Sequence, residues 1–171
     1  MVTTRSVEEL RKVSEHLYYE LWMLLSVTRA LSYGMFGPGS ITNALVESFT
    51  IHFRVLYDFF WQQTKSHKDD VLLCDFIPTA SEFPSPPSFL KTLYTRVNKQ
   101  AAHLTFTRLD YPDDEKGWPF LSVWQAMHSV VTVFYSKVDK HLLCPKWHEE
   151  REAIGIDAPN TAEGRPTSRC S

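Results

Sequence analysis

A chain of 171 residues with 43% hydrophobic and 13% aromatic side chains has enough apolar material for one ordinary core, which excludes a disordered segment. The formal net charge of −2 favours neither nucleic acid nor an acidic substrate, so either partner would need a local patch. Three separated cysteines, Cys74, Cys144 and Cys170, form no CxxC pair and read as free thiols of a reducing compartment. The start, MVTTRSVEEL, has no apolar signal core, and no run of 18 apolar residues occurs. The expectation is a cytoplasmic chain without a membrane partner.

Residues 7–32 place Val7, Leu10, Val13, Leu17, Leu21, Leu24 and Leu31 at helical spacing, with Ser6 and Glu9 as a capping box. Gly34, Gly37, Pro38 and Gly39 end this helix in a turn. Residues 41–63 are apolar almost all round, as a central helix is. Asp69 and Asp70 precede Val71, Leu72, Leu73 and Phe76, which predicts a short helix with carboxylates at its start. Pro78, Pro84, Pro86 and Pro87 then give an extended connection.

Residues 88–104 read as a third long helix with Ser88 as N-cap. Asp110 to Gly117 is a polar loop, Trp118-Pro119 opens a fourth helix, and Pro145 stops it. From Lys146 the periodicity is lost. The expected fold is all-α: an antiparallel four-helix bundle over residues 1–145, with a short accessory helix, followed by a polar, mobile tail over 146–171.

Two constellations could carry chemistry. On the third helix, Arg96, Gln100 and His103 stand at i, i+4 and i+7, so Arg96 and His103 share a face. Lys91, Arg96, Lys99 and Arg108 make a local charge of +4 over a stretch with no Asp or Glu. Such a face can hold phosphates, and a histidine beside it can move a proton near neutral pH. The structural alternative is a solvated basic face with a capping histidine. On the central helix, Glu47, Thr50, Arg54 and Asp58 form one polar stripe, with Arg54 and Asp58 a turn apart. This stripe either orients the third helix's Arg96 or His103, or is an ion-pair network that fixes helix register. A third arrangement is a metal held by His52, His103 and His128, one from each of three helices, although no Glu-x-x-His occurs. Phosphate-loop, dinucleotide and nucleophile-elbow motifs are absent.

The run from Arg96 to His103 resembles the R-x(4–6)-H signature of HEPN domains, with six residues between Arg and His. That resemblance implies a compact helical bundle, commonly a homodimer. It further implies either a metal-independent endoribonuclease of defence or toxin–antitoxin systems, with an antitoxin or effector protein as partner, or an inactive interaction module. Arg96 would steady the scissile phosphate and His103 would transfer a proton, with no cofactor. Glu47, Arg54, Asp58 and Asn98 would support them, and Lys99 and Arg108 would bind phosphate. Two subunits would bring two Arg–His pairs to the interface. HEPN domains often carry a polar residue directly after the Arg, where this chain has Val97, with Asn98 next. More widely, Asn43–Phe49, His52-Phe53-Arg54, Asp58-Phe59-Phe60, Asp69-Asp70-Val71, His103-Leu104-Thr105 and Arg108 resemble a group of uncharacterised bacterial helical proteins over residues 40–135.

Overall fold

The computed structural model describes residues 5–78, 83–100 and 117–156. Among these there is no β-strand: the chain is all-α. Helix α1 spans Val7–Ser32. Its start is the expected capping box: Glu9 N–H donates to Ser6 Oγ (3.2 Å) and Ser6 N–H to Glu9 Oε2 (2.8 Å). These bonds satisfy amides that have no partner within the helix. It ends at a turn in which Gly34 and Gly37 take φ of +60° and +61°, the left-handed region where a Cβ is disfavoured.

Helix α2, Ser40–Trp61, buries Phe49, Phe53, Leu56, Phe59 and Phe60. Each such side chain contributes about 1.5–3 kcal/mol when it leaves water. Glu20 meets His52, and the Val13–Leu17 stretch lines the same groove as Val55–Gln62, so α1 and α2 run antiparallel. The short helix α3 is Leu73–Phe76. The carboxylate at its start is Asp75, which accepts from Leu72 N–H (2.9 Å), rather than Asp69 or Asp70. Asp70 instead closes the preceding turn by accepting from His67 N–H (2.7 Å).

Helix α4, Ser88–Gln100, begins one residue earlier relative to its cap than expected: Ser88 is its first residue, and Leu90 and Lys91 donate to Pro87. Its buried residues Leu90, Leu93 and Val97 join the core. The expected continuation to residue 104 lies outside the described residues. Helix α5, Phe120–Lys137, follows Pro119 as its cap residue. It presents Val123, Met127, Val131 and Phe134 to α1 and α2, each fully buried.

The packed chain does not stop at Pro145. A 3-10 turn at Lys140–Leu142, helix α6 at Lys146–Glu149 and a second 3-10 turn at Arg151–Ile154 fold back onto α1. Trp147, Ile154 and Ile156 belong to the core. The boundary expected at 145 therefore moves to at least 156. The segment is too short for helical periodicity to show, and its anchors are individual contacts. Trp147 Nε1–H donates to Ser14 O (2.8 Å), Cys144 N–H to Ser14 Oγ (2.7 Å) and Tyr18 O–H to Glu150 O (3.0 Å). No helix among the described residues is long and apolar enough to cross a membrane. Cys74 is exposed and Cys144 buried, both as free thiols.

Candidate functional site

The polar stripe of α2 divides between solvent and a helix junction. Glu47 is exposed, and Thr50 is buried with its hydroxyl donating to Glu47 O (2.7 Å). Arg54 and Asp58 lie a turn apart, Nε to Oδ2 at 3.8 Å, with side chains 46% and 29% exposed. The stronger bond of Asp58 crosses to α4: Tyr94 O–H donates to Asp58 Oδ1 at 2.6 Å. The Tyr94 ring stacks on Tyr57 of α2, centroids 4.3 Å apart and planes 20° apart. Burial raises the Tyr94 pKa above the usual tyrosine value, and the bond to Asp58 adds to the rise by favouring the protonated phenol. The Asn98 side chain, one helical turn further on, also reaches the Tyr94 hydroxyl. Its Oδ1 is buried with no hydrogen-bond partner among the described residues.

This junction sets how α4 faces outward. Tyr94 and Asn98 turn toward α2, and residues two positions away point in nearly the opposite direction. Arg96 is such a residue. Its guanidinium lies over the Trp118 ring, 4.2 Å from the centroid, and Nη1–H donates to Gly117 O at 2.9 Å. A cation held on an aromatic face gains about 0.5–2 kcal/mol and loses much of its rotational freedom. Lys91, Thr95 and Lys99 are exposed on the same helix.

The structure thus places Asp58, Arg54 and Asn98 together, and Arg96 and Lys99 on the outward side of α4. Glu47 is at neither place. His103 and Arg108 lie outside the described residues, as does the Gln100 side chain. The three-histidine arrangement finds no support in the two histidines that are described. His52 is buried and bonds Glu20 through Nδ1 (2.6 Å), whereas His128 bonds Gly155 O through Nε2 (2.6 Å). Among the described residues no three His, Cys, Asp or Glu side chains group as metal ligands.

Tyr94 and Glu20 were not singled out from the sequence. The spacing of Tyr94 on the third helix matches Leu90, Leu93 and Val97, which marks it only as apolar packing, and its facing of Asp58 reveals the second role. Glu20 is the partner that lets His52 be buried. Beside the stripe lies a groove of about 510 Å³ between α1, α2 and the loop before α3. Leu17, Phe59 and Leu72 form its floor, and His16, Arg54, Asp58 and Asp70 are on its rim. No family model, curated protein or solved structure matches this chain.

Proposed function

We propose that this chain is a HEPN-like RNA-binding domain in which α4 carries the nucleic-acid contact, and that Arg96 and His103 form a metal-independent endoribonuclease pair. In this reading α1, α2, α4 and α5 are the antiparallel bundle, and the chain works in the cytoplasm alongside an antitoxin or effector protein. The observation that carries the reading is the outward row of α4. Lys91 and Lys99 are exposed there, the Arg96 guanidinium lies over the Trp118 ring, and the helix contains no Asp or Glu. The planar, multiply donating guanidinium is the side chain whose geometry suits a phosphate. The Asp58–Tyr94 bond supports the same reading by keeping the α4 polar groups at the α2 junction and its cations outside.

Cleavage would follow general acid–base chemistry. Arg96 would neutralise charge on the scissile phosphate, and His103 would pass a proton to or from the ribose oxygens. The test is an RNA cleavage assay on wild type, Arg96→Ala and His103→Ala, each with and without EDTA. Cleavage that survives EDTA and is lost in both variants supports the reading. Equal cleavage by wild type and His103→Ala refutes the catalytic part. RNA binding that does not weaken with added salt or with Arg96→Ala refutes the RNA part. A second reading, a helical interaction module without chemistry, is favoured by one specific observation: Tyr19, Trp22, Ile41, Ile51 and Val55 are all exposed on α1 and α2.

A further inference from the structure

The exposed apolar residues of α1 and α2 are not scattered. On α1, exposed Tyr19 and half-buried Met23, Ser26 and Ala30 follow a 4-3-4 spacing, with Met23 also touching the edge of the core. On α2, Ile41, Ala44, Ser48, Ile51 and Val55 follow 3-4-3-4. None is charged and none is fully buried, while the opposite faces carry Leu17, Leu21 and Leu24 and Phe49, Phe53 and Leu56 in the core. Each helix therefore has a second seam of the spacing that packs helix against helix. From Ala30 to Val46, across the connecting turn, no residue is charged. The turn itself exposes Tyr33, Met35 and Phe36.

We infer that this hairpin face is an interface between two copies of this chain, packed hairpin on hairpin about a two-fold axis that runs across the helices. Three features select a second copy. The first is size. A helix of α2's length spans about 33 Å and two helices side by side about 20 Å, so the footprint is roughly 650 Å². On a corrugated surface that approaches the roughly 800 Å² per partner of a standard interface.

The second is charge. The Glu20–His52 bond puts Trp22 level with Thr50 on the antiparallel neighbour. Glu47 and Arg54 lie on either side of Thr50 at nearly equal distance, so a two-fold axis at that level sets Glu47 of one copy beside Arg54 of the partner subunit. Glu15 and Arg29 stand seven residues on either side of Trp22 and obey the same symmetry, although Glu15 also bridges to Lys146 (2.7 Å).

The third is shape. The turn at Tyr33 lies about 16 Å beyond the Trp22 level, and the groove lined by Val13–Leu17 and Asp58–Gln62 lies about 8–18 Å on the other side. The axis carries the apolar turn of each copy onto the groove of the other, an isologous contact that closes on itself. Helix α4 contributes no residue to this face. The dimer is therefore different from a pairing of two Arg96–His103 sites, and it holds whether or not the chain cleaves RNA.

Sedimentation equilibrium of the full chain tests this, with a mass of twice 19.8 kDa expected. Ile51→Glu and Phe36→Asp change side chains that are 59% and 53% exposed, so each leaves the helical circular dichroism intact. Each raises the dimer dissociation constant by about 100-fold or more. Glu47→Arg and Arg54→Glu each weaken the dimer about 10-fold, and the double swap restores it. A wild-type chain that stays monomeric at its highest soluble concentration overturns the inference, as does a dimer indifferent to Ile51→Glu. A monomer that floats with phosphatidylcholine vesicles does so too, by giving the face to lipid. A double swap that restores nothing overturns the crosswise axis.

Discussion

The hydroxyl of Tyr94 is the point at which α4 is fastened to α2, and removing it alone is a sharp test. Tyr94→Phe keeps the ring, its stacking on Tyr57 and nearly all its volume, and deletes the 2.6 Å bond to Asp58 Oδ1 together with the hydroxyl's contact to Asn98, which the cycle with Asp58→Ala separates. A hydrogen bond to a charged group contributes about 1.5–3 kcal/mol. The Asp58 side chain is 29% exposed, and water partly replaces the lost donor, which brings the expected cost to about 1–2 kcal/mol. Asp58→Ala should cost more than this, because it also leaves the buried Tyr94 hydroxyl with fewer partners and ends the contact with Arg54. The two substitutions together should cost less than their sum, with a coupling of about 1–2 kcal/mol. Urea unfolding of the four proteins at pH 7, followed by tryptophan fluorescence, measures it, with an unchanged m-value as the check that both states are comparable. A coupling below about 0.3 kcal/mol would mean that the bond contributes nothing net, and the account of how α4 is oriented would be wrong.

Trp147→Ala should destabilise by about 3–5 kcal/mol, since the side chain is fully buried against Tyr18 and Phe134, and a chain ending at residue 145 should fail to fold where one ending at 156 succeeds. Urea midpoints decide this, and a fully stable 1–145 fragment would refute it. Gly155→Ala meets a φ of +77° and would bring a Cβ within 3.2 Å of both His128 and Trp124, so a loss of about 1–3 kcal/mol is expected. Thermal unfolding should show this as a fall of several degrees, and an unchanged midpoint would contradict the placement. Burial raises the pKa of Tyr18, Tyr57 and Tyr94 above the ordinary tyrosine value of about 10. Their contribution is therefore complete below pH 10 and is lost as pH climbs through the raised folded values. Lys140, whose pKa burial lowers, acts in the opposite sense but is one group against three. Urea midpoints should decline above pH 10, less steeply in Tyr94→Phe; a flat profile there would refute the burial of these phenols.

Local chemistry made much of the helical content readable. The bounds of α1 follow from its capping box and glycine turn, both short-range, and match the sequence reading at both ends. The stripe of α2 was readable for the same reason, because residues seven apart on a helix share a face whatever surrounds them. What faces that stripe was not readable. Tyr94 meets Asp58, and Arg96 meets Trp118, only because α4 settles against α2 and the start of α5, which the spacing within one helix does not encode.

The C-terminal segment shows the same limit from the other side. Residues 146–156 lack periodicity because they form no long helix, yet Trp147 is held by Ser14 and Tyr18, more than a hundred positions away. The outward seams of α1 and α2 were equally hidden. Apolar residues all round a helix say that it is central, but which of two 3-4 rows lies in the core and which is left over depends on where the neighbouring helices pack. The sequence by itself determined the long helices, the capping box of α1 and the polar stripe of α2, since those depend on neighbours three or four residues apart. The tertiary structure alone decided which faces meet, that residues 146–156 join the core and which described surface is left exposed, since those depend on contacts between residues distant in the chain.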